Sequence, residues 1–261
     1  MNPPLKKLEF ETIGSCNRVC GTCLRQTTPY TALPTHANRF PIATKIGQGM
    51  KMSMDMIKDI VEQAKDISEL KSIYLSHYNE PLLDDRFPEI ARYIREQMPK
   101  MDIRACTNFD LMTEDLAKEL DGVVSFFHVS LYYEDPVYSK RKKLVESWFK
   151  KTTLNIHYKG HAEDYHMTTH FSPREERLKA KIKAVQHNTC TRYNAHCIIA
   201  YDGTFLHCCE DYNGNFDLGN VKDTTILEMW ESETHQGLVE DLKIKGGRRM
   251  YKHCIDCPDM G

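Results

Sequence analysis

Five segments in the first 160 residues have the hydrophobic pattern of β-strands. In each segment, apolar residues alternate with polar ones or form a short continuous run, with β-branched and aromatic residues prominent. The segments are residues 8–13, 72–76, 103–107, 123–131 and 153–158. The first two-thirds of the chain therefore contain a regular series of predicted strands.

Helical patterns occupy the intervals between these strands. After Ser53, a suitable N-cap residue, apolar side chains recur at intervals of three and four and form one face of a helix. Pro88 is well placed in the first turn of a second helix, and Thr113, followed by two acidic residues, begins a third. A fourth helix is predicted across residues 137–149.

Strands that alternate with helices predict right-handed βαβ units and a parallel sheet. The expected fold class is α/β, with a partial (β/α)6 TIM-like barrel. In such sheets the active site lies at the carboxyl ends of the strands. Three segments that carry chemistry follow predicted strands and should meet at that edge: CNRVCGTC (16–23), SHYNEP (76–81) and CTNFD (106–110).

The final third of the chain is rich in cysteine and predicts a second, smaller α+β domain. A helix is predicted at residues 173–186, and Asp202-Gly203 between two apolar runs is a strong β-hairpin signal. Because the pattern of the chain changes after the last predicted strand of the sheet, we expect two domains. Their predicted bounds are residues 1–170 and residues 171–261.

Composition and charge exclude several function classes. The 261 residues include 35 basic and 37 acidic side chains, for a formal net charge of -2, and no long basic block indicates a nucleic-acid partner. There is no signal-peptide pattern and no apolar run of about 20 residues, so we expect a cytoplasmic protein without a membrane partner. The ten cysteines occur in tight clusters, which in a reducing compartment favours metal or redox chemistry over disulfides.

Cys16, Cys20 and Cys23 form a C-x3-C-x2-C motif after the first predicted strand. Three thiolates can hold three irons of a 4Fe-4S cluster, which leaves the fourth iron open to a ligand that is not part of the protein. The alternative is a zinc site completed by a distant residue such as His36 or His77. The spacing by itself leaves both possibilities open.

This motif, in a loop after the first strand of a partial barrel, resembles the signature of the radical S-adenosylmethionine (radical SAM) enzymes. The resemblance implies that Cys16, Cys20 and Cys23 bind a 4Fe-4S cluster whose open iron is chelated by S-adenosyl-L-methionine (SAM). It also implies the chemistry of the family. An electron donor such as flavodoxin or ferredoxin reduces the cluster, SAM is cleaved to a 5'-deoxyadenosyl radical, and that radical abstracts a hydrogen atom from the substrate.

Two further segments resemble SAM-binding motifs of this family. SHYNEPLL is similar to its glycine-glycine-glutamate-proline motif, which implies that Glu80 receives the SAM amino group in a charge-assisted hydrogen bond. CTNFDLMT resembles its Thr-Asn-Gly stretch, which implies a SAM contact at Asn108. Ser130, at the end of the fourth strand, is the candidate for the ribose, with an ordinary strand-end serine as the alternative. The sequence departs from the family at Tyr78 and Asn79, where glycines are usual.

The C-terminal cysteines resemble the twitch domain, a shortened form of the SPASM domain that follows many radical SAM barrels. The pattern C-x12-G-x4-C is followed by C-x2-C. By this resemblance, an auxiliary 4Fe-4S cluster, the second of two, is bound by Cys190, Cys208, Cys254 and Cys257. Cys197 and Cys209 are then spare, and each is an alternative to a neighbouring ligand. A structural zinc ion at the same four cysteines is the competing interpretation.

The short chain with one auxiliary cluster most resembles the twitch-bearing dehydrogenase type that oxidises a secondary alcohol of 2-deoxy-scyllo-inosamine. We therefore expect an oxidoreductase that acts on a small molecule. A peptide-modifying radical SAM enzyme, such as a maturase or epimerase, is the first alternative, and a non-catalytic zinc or iron-sulfur binding module is the second. No catalytic residue is assigned. Candidates for a base, by position only, are Tyr132, Arg141, His157 and Glu210.

Overall fold

The computed structural model describes residues 4–18, 20, 45–158, 189–190, 196–209, 211, 214 and 216–255. Its strands are β1 (Lys7–Phe10), β2 (Ser72–Tyr74), β3 (Asp102–Thr107), β4 (Phe126–Leu131), β5 (Thr153–Tyr158), β6 (His196–Ile199) and β7 (Phe205–Leu206). Its helices are α1 (Met54–Lys65), α2 (Phe87–Gln97), α3 (Glu114–Leu120), α4 (Val137–Trp148), α5 (Ile226–Glu231), α6 (Glu233–Lys243) and α7 (Lys252–Ile255). None of these helices has the length and apolar character needed to cross a membrane.

The seven strands form one sheet in the order β5-β4-β3-β2-β1-β6-β7. All neighbouring strands in this sheet are parallel except β6 and β7, which are antiparallel. Parallel neighbours need crossover connections, and helices α1 to α4 supply them between consecutive strands from β1 to β5. The carboxyl ends of the parallel strands therefore lie at one edge of the sheet.

Side-chain caps determine where several helices begin. Ser53 Oγ and Thr113 Oγ1 each accept a hydrogen bond from the backbone N–H three residues later, at 3.1 and 3.2 Å. Thr225 and Glu228 form a capping box at the start of α5. Each cap replaces a hydrogen-bond partner that the first helical turn lacks, and stabilises the fold by about 1 kcal/mol.

The sheet has an apolar face covered by helices and an opposite face that carries polar side chains. Leu8, Ile73 and Phe127 lie on the covered face and are fully buried with Ile60 of α1 and Ile90 of α2. Successive side chains of a strand point to opposite faces, so the residues between these apolar ones face the other way. We call the following residues of β1 to β4 the polar face: Lys7, Glu9, Tyr74, Arg104, Cys106 and His128.

The structure confirms the expected α/β class with a mostly parallel sheet. The five predicted strands and the helices between them all form, and the ends of the strands differ from the prediction by at most three residues. The hairpin predicted at Asp202-Gly203 forms between β6 and β7. The predicted helix at residues 173–186 lies outside the described residues. Helix α6 was not predicted from the sequence.

Strand β6, from the predicted second domain, lies beside β1 in the same sheet. Lys7 pairs with His196, and Phe10 pairs with Ile199. The C-terminal segment thus extends the sheet formed by the N-terminal residues. The predicted boundary between residues 170 and 171 lies outside the described residues, and the division into two domains stays a prediction.

Candidate cluster and cofactor sites

Cys16 and Cys20 lie in the loop after β1, at the carboxyl edge of the sheet. Cys16 is half-buried, and Cys20 is buried. The backbone N–H of Arg18 donates a hydrogen bond to Cys16 Sγ at 3.4 Å, and the guanidinium of Arg18 interacts electrostatically with Cys20. A donor and a cation near sulfur favour the thiolate form, which is the form that binds metal. The donor set therefore fits an iron-sulfur cluster; the third predicted ligand, Cys23, lies outside the described residues.

Arg18 also connects this loop to the segment that follows β3. Its Nε and Nη2 donate to the Asp110 carboxylate at 2.5 and 2.7 Å, and Asn17 Nδ2 donates to the same carboxylate at 3.2 Å. From the end of β4, the Tyr133 hydroxyl donates to Asp110 at 2.9 Å, and the ring of Tyr132 lies 4.8 Å from the Arg18 guanidinium. These contacts join the ends of three strands, because Arg18 follows β1, Asp110 follows β3 and Tyr133 follows β4.

Glu80 lies at the same edge with its carboxylate buried. Its Oε1 accepts from Thr107 Oγ1 at 2.6 Å and from the backbone of Leu82 at 3.1 Å, and its Oε2 accepts from the backbone of Asn108 at 2.8 Å. The backbone N–H of Glu80 donates to the Ser15 carbonyl at 2.8 Å. Burial raises the pKa of Glu80 to about 7, although these hydrogen bonds act in the opposite direction. A carboxylate has about four acceptor sites, so one is left for the ammonium group of a ligand.

Asn108 is held beside the cysteine loop. Its Nδ2 donates to Asn17 Oδ1 at 2.8 Å, and its Oδ1 accepts from the backbone of Asp110 at 2.9 Å. The next residue, Phe109, stands where the Thr-Asn-Gly motif has glycine, and its φ is 56°. Left-handed φ values are uncommon outside glycine. The backbone therefore has at Phe109 the conformation that a glycine adopts readily.

Ser130 lies on β4 in register with His157 of β5. It is two residues beyond His128, so it faces the same side as the polar face and lies closer to the carboxyl edge. The structure thus brings Glu80 and Asn108 together with the cysteine loop and places Ser130 on the neighbouring strand. Contacts of these three residues with SAM stay predictions.

Three residues of this site were not predicted from the sequence: Asn17, Arg18 and Asp110. Only their position in the sequence could have indicated a role in the site: Asn17 and Arg18 stand between the first two cysteines, and Asp110 follows the Thr-Asn pair. The pairing of Arg18 with Asp110 spans 92 residues. Periodicity does not specify such a pairing, since the chain offers many acidic partners for one arginine.

Three of the four predicted ligands of the auxiliary cluster lie in described segments. Cys208 follows β7 and Cys254 lies in α7, and both are buried. The backbone N–H of Cys190 donates to the Leu242 carbonyl of α6 at 2.8 Å. Within the described segments, no three His, Cys, Asp or Glu side chains meet as ligands of a single metal ion. In a 4Fe-4S cluster each thiolate binds its own iron, so its ligands need not meet at one point; Cys257 lies outside the described residues.

The structure explains why the C-terminal cysteine pattern contains a glycine. Gly203 has a φ of 92°, and a Cβ at this position would lie 2.5 Å from Asn220 Oδ1. Asn220 Nδ2 in turn donates to the Asp202 carbonyl at 3.1 Å. Only glycine combines this conformation with this close approach, and the tight turn leads the chain through β7 to Cys208.

The two spare cysteines lie in different surroundings. Cys197 of β6 points into the apolar core and is fully buried, and burial raises the pKa of its thiol. A buried thiol with a raised pKa is a poor metal ligand. Cys209 is half-buried, and its carbonyl accepts a hydrogen bond from the Tyr78 hydroxyl, which comes from the segment that contains Glu80.

The four candidates for a base also differ in their surroundings. Arg141 donates to the carbonyls of Phe109 and Met112, both at 2.9 Å, which is a structural role. His157 is exposed on β5, and the ring of Tyr132 lies against Arg18 as described above. Glu210 lies outside the described residues. None of these placements assigns a catalytic role.

Residues 190–258 match the SPASM family, described as an iron-sulfur cluster-binding domain. The matched segment contains the four cysteines predicted as ligands of the auxiliary cluster, and it confirms the resemblance to a SPASM or twitch domain. No curated protein matches the chain by sequence.

Several solved structures share the fold of nearly the whole chain. BtrN in complex with AdoMet and 2-DOIA is 20% identical, with a TM-score of 0.70 over 99% of this chain and 95% of BtrN. Selenomethionine BtrN in an open conformation is 19% identical, with a TM-score of 0.66 over 99% and 94%. Native anSMEcpe with bound AdoMet and Cp18Cys peptide is 16% identical, with a TM-score of 0.57 over 98% and 88%. At these identities the likeness establishes a shared fold.

Proposed function

We propose that this chain, whose residues 190–258 match an iron-sulfur domain, is a radical SAM enzyme that oxidises a small-molecule alcohol. One observation carries the proposal. Cys16 and Cys20, in the loop after β1, lie at the same edge of the sheet as Glu80 and Asn108. The fold is shared with proteins whose structures contain AdoMet. The motifs that resemble the family in sequence are thus brought together in space.

The first cluster would be held by Cys16, Cys20 and Cys23. When bound, this cluster supplies the electron that cleaves SAM to methionine and a 5'-deoxyadenosyl radical, which abstracts a hydrogen atom from the substrate. The chain supplies position and charge. Arg18 places a cation close enough to interact with Cys20, and Asp110 holds Arg18 in place.

Glu80 is suited to bind the amino group of SAM. Its contacts with Thr107, Leu82 and Asn108 hold the carboxylate in one orientation, and a fourth acceptor site accommodates an ammonium. A charge-assisted hydrogen bond from that ammonium would also favour the ionised form of Glu80. Asn108 and Ser130 are the proposed contacts for the rest of SAM.

The auxiliary cluster would be held by Cys190, Cys208, Cys254 and Cys257. All four lie in the segment that matches the iron-sulfur domain. The Tyr78 hydroxyl contacts the Cys209 carbonyl, and therefore connects the Glu80 segment to the residue after Cys208. This contact supports a position for the auxiliary cluster close to the Glu80 segment and the proposed SAM site, where the cluster would accept an electron.

A small polar substrate is favoured by the polar face, which presents charged and hydrogen-bonding side chains on the side opposite the helices. The structure of BtrN contains 2-DOIA together with AdoMet, which supports the same substrate class. Peptide modification is the second candidate, because a structure of anSMEcpe with the same fold contains a peptide. The proposed electron donor is flavodoxin or ferredoxin, and the proposed location is the cytoplasm.

The test is anaerobic purification with iron and sulfide reconstitution, followed by metal analysis and reduction in the presence of SAM. We expect about eight irons per chain, little zinc, and formation of 5'-deoxyadenosine and methionine. Cys16→Ala should abolish SAM cleavage. Zinc without iron, or iron without SAM cleavage, would favour the non-catalytic module. Conversion of 2-deoxy-scyllo-inosamine, compared with a peptide library, separates the two substrate classes.

A further inference from the structure

One buried carboxylate on the polar face binds two histidines from distant parts of the chain. Glu9 Oε1 lies 2.6 Å from His77 Nδ1, and Glu9 Oε2 lies 2.5 Å from His196 Nε2. The ammonium of Lys7 lies 2.9 Å from the same Oε2. Glu9 belongs to β1, His77 follows β2, and His196 begins β6, so the sheet assembles this group across three neighbouring strands.

The second ring nitrogen of His77 has no partner in the described parts of the chain. Its side chain is only 4% exposed, and none of the described residues offers a hydrogen-bond partner within reach of Nε2. Buried polar atoms are nearly always hydrogen-bonded, and each exception needs an explanation. A carboxylate on Nδ1 fixes the orientation of the ring and leaves Nε2 available to a ligand, as in hydrolytic triads.

The position of His77 fits a ligand that binds next to SAM. His77 lies three residues before Glu80, and its backbone N–H donates to Asn79 Oδ1 at 2.9 Å. Cys106 of the polar face is exposed, and its backbone N–H donates to Ser76 Oγ at 2.7 Å, directly before His77 in the chain. Along the chain, His77 therefore stands between Ser76, which contacts β3 of the polar face, and the segment that carries Glu80.

We propose that His77, held in position by Glu9, accepts the hydroxyl proton of the alcohol that this enzyme oxidises. The proposal rests on the proposed function. In the reaction, the 5'-deoxyadenosyl radical takes a hydrogen atom from the carbon that bears the hydroxyl group. The resulting carbon radical loses its O–H proton to His77 Nε2 and one electron to an iron-sulfur cluster, and a C=O double bond forms. His77 is then a catalytic residue, and Glu9 is a positioning residue.

Charges around the imidazole suit this role. Burial would lower the pKa of His77, but the Glu9 carboxylate outweighs burial, with help from Glu11, and the pKa is raised despite Lys7. For Glu9, burial would raise the pKa, yet the neighbouring histidines hold it well below the usual range. Burial lowers the pKa of His196, although the Glu9 carboxylate acts in the opposite direction.

The experiment compares three variants of the reconstituted enzyme. His77→Asn keeps a side-chain N–H for Glu9 and removes Nε2, whereas Glu9→Gln keeps the shape and removes the charge. Glu62→Gln is the control, because Glu62 lies on α1, on the other side of the sheet from the polar face, where its side chain is 68% exposed and pairs with Lys65. The substrates are 2-deoxy-scyllo-inosamine and a panel of related cyclic amino alcohols.

Three quantities are measured: ketone product, 5'-deoxyadenosine, and alcohol binding without reductant. For His77→Asn we expect ketone formation to fall about 100-fold, as for other lost proton acceptors, while SAM is still cleaved and the alcohol binds within about fivefold of the unchanged chain. Ketone formation by the unchanged enzyme should increase with pH until His77 is neutral. Glu9→Gln should move that increase to lower pH by about one unit or more.

Failure of this proposal is distinguishable from failure of the proposed function. Without 5'-deoxyadenosine from the unchanged chain, the proposed function itself is wrong, and this proposal is wrong with it. If SAM is cleaved but none of the alcohols is oxidised, the alcohol substrate of the proposed function is wrong, and the role of His77 is wrong with it. If the unchanged chain oxidises an alcohol but His77→Asn forms ketone as fast as Glu62→Gln, only the role of His77 is overturned. Because SAM cleavage by His77→Asn also reports a folded site, loss of folding is recognised separately.

Discussion

The Arg18 guanidinium and the Asp110 carboxylate form two parallel hydrogen bonds, at 2.5 and 2.7 Å, across 92 residues of sequence. Both side chains are less than one-fifth exposed, so solvent screens this pair only weakly. The pair attaches the cysteine loop to the end of β3. It is therefore well placed to hold the proposed cluster ligands next to the proposed SAM site.

Asp110→Asn should destabilise the chain and loosen the N-terminal cluster. We expect a loss of about 1–3 kcal/mol in the free energy of unfolding, because the guanidinium loses a charged partner. Chemical denaturation measures this loss, and the rate of iron release during dilution reports the effect on the cluster. Arg92→Ala is the matched control, since Arg92 pairs with Glu119 where both side chains are 43% exposed. Equal effects of the two variants would contradict a special role for the Arg18 pair.

Binding of SAM should depend on the charge of Glu80. Burial raises the pKa of this carboxyl to about 7, so it is protonated below that pH and loses its charge-assisted bond to the SAM amino group. We expect the affinity for SAM, measured by equilibrium dialysis, to increase as pH increases through 7. Glu80→Gln should bind SAM about tenfold more weakly at pH 8 and lose this dependence. Glu89→Gln, on the first turn of α2, is the control that should change neither.

The same raised pKa has a consequence for stability. A carboxyl whose folded pKa lies above its unfolded value binds its proton more tightly in the folded state. The free energy of unfolding should therefore fall as pH increases from about 4.5 to about 7, and the contribution of Glu80 should then level off. Denaturant unfolding of the unchanged chain and of Glu80→Gln over this range measures the difference. If the difference in free energy of unfolding between the two proteins stays constant with pH, burial does not shift the pKa of Glu80.

Cys197 and Cys208 should respond differently to substitution by alanine. Cys197→Ala removes a fully buried core thiol, so we expect full iron content with a loss of about 1–2 kcal/mol in the free energy of unfolding. Cys208→Ala should lose the auxiliary cluster, which is about four irons per chain. Iron analysis after reconstitution distinguishes the two variants. Loss of iron in Cys197→Ala would mean that Cys197 replaces one of the predicted ligands.

Phe109 allows a test of its left-handed backbone. The side chain is fully buried and packs on Phe127 and Phe149, with ring centroids 5.3 and 6.0 Å apart, so Phe109→Ala should cost about 3–5 kcal/mol. At an ordinary backbone position, Phe109→Gly would lower the free energy of unfolding more than Phe109→Ala does. With φ at 56°, however, glycine should be the more stable of the two by about 1 kcal/mol. Thermal or denaturant unfolding of both variants decides the order, and the reverse order would argue against the left-handed conformation.

The sequence alone predicted most of the local structure, because local structure depends on residues that are close in the chain. Ser53 and Thr113 start helices through hydrogen bonds to backbone groups three residues later, and Asp202-Gly203 forms the predicted turn. The cysteine spacings and the Thr-Asn pair were likewise readable as short motifs. The C-terminal cysteines were interpreted in this way, and the match of residues 190–258 to an iron-sulfur domain agrees with that interpretation.

Tertiary structure decided which of these motifs meet and what their neighbours are. Glu9 is a polar residue in a strand-forming segment, and its partners His77 and His196 are 68 and 187 residues away. They meet because β1 lies between β2 and β6 in the sheet. The register of β1 with β6 places Glu9 and His196 on the same side, and His77 lies in the loop shortly after β2. Hydrophobic periodicity specifies which face of a strand is buried. It does not specify which strands are neighbours, so contacts across the sheet depend on the assembled fold.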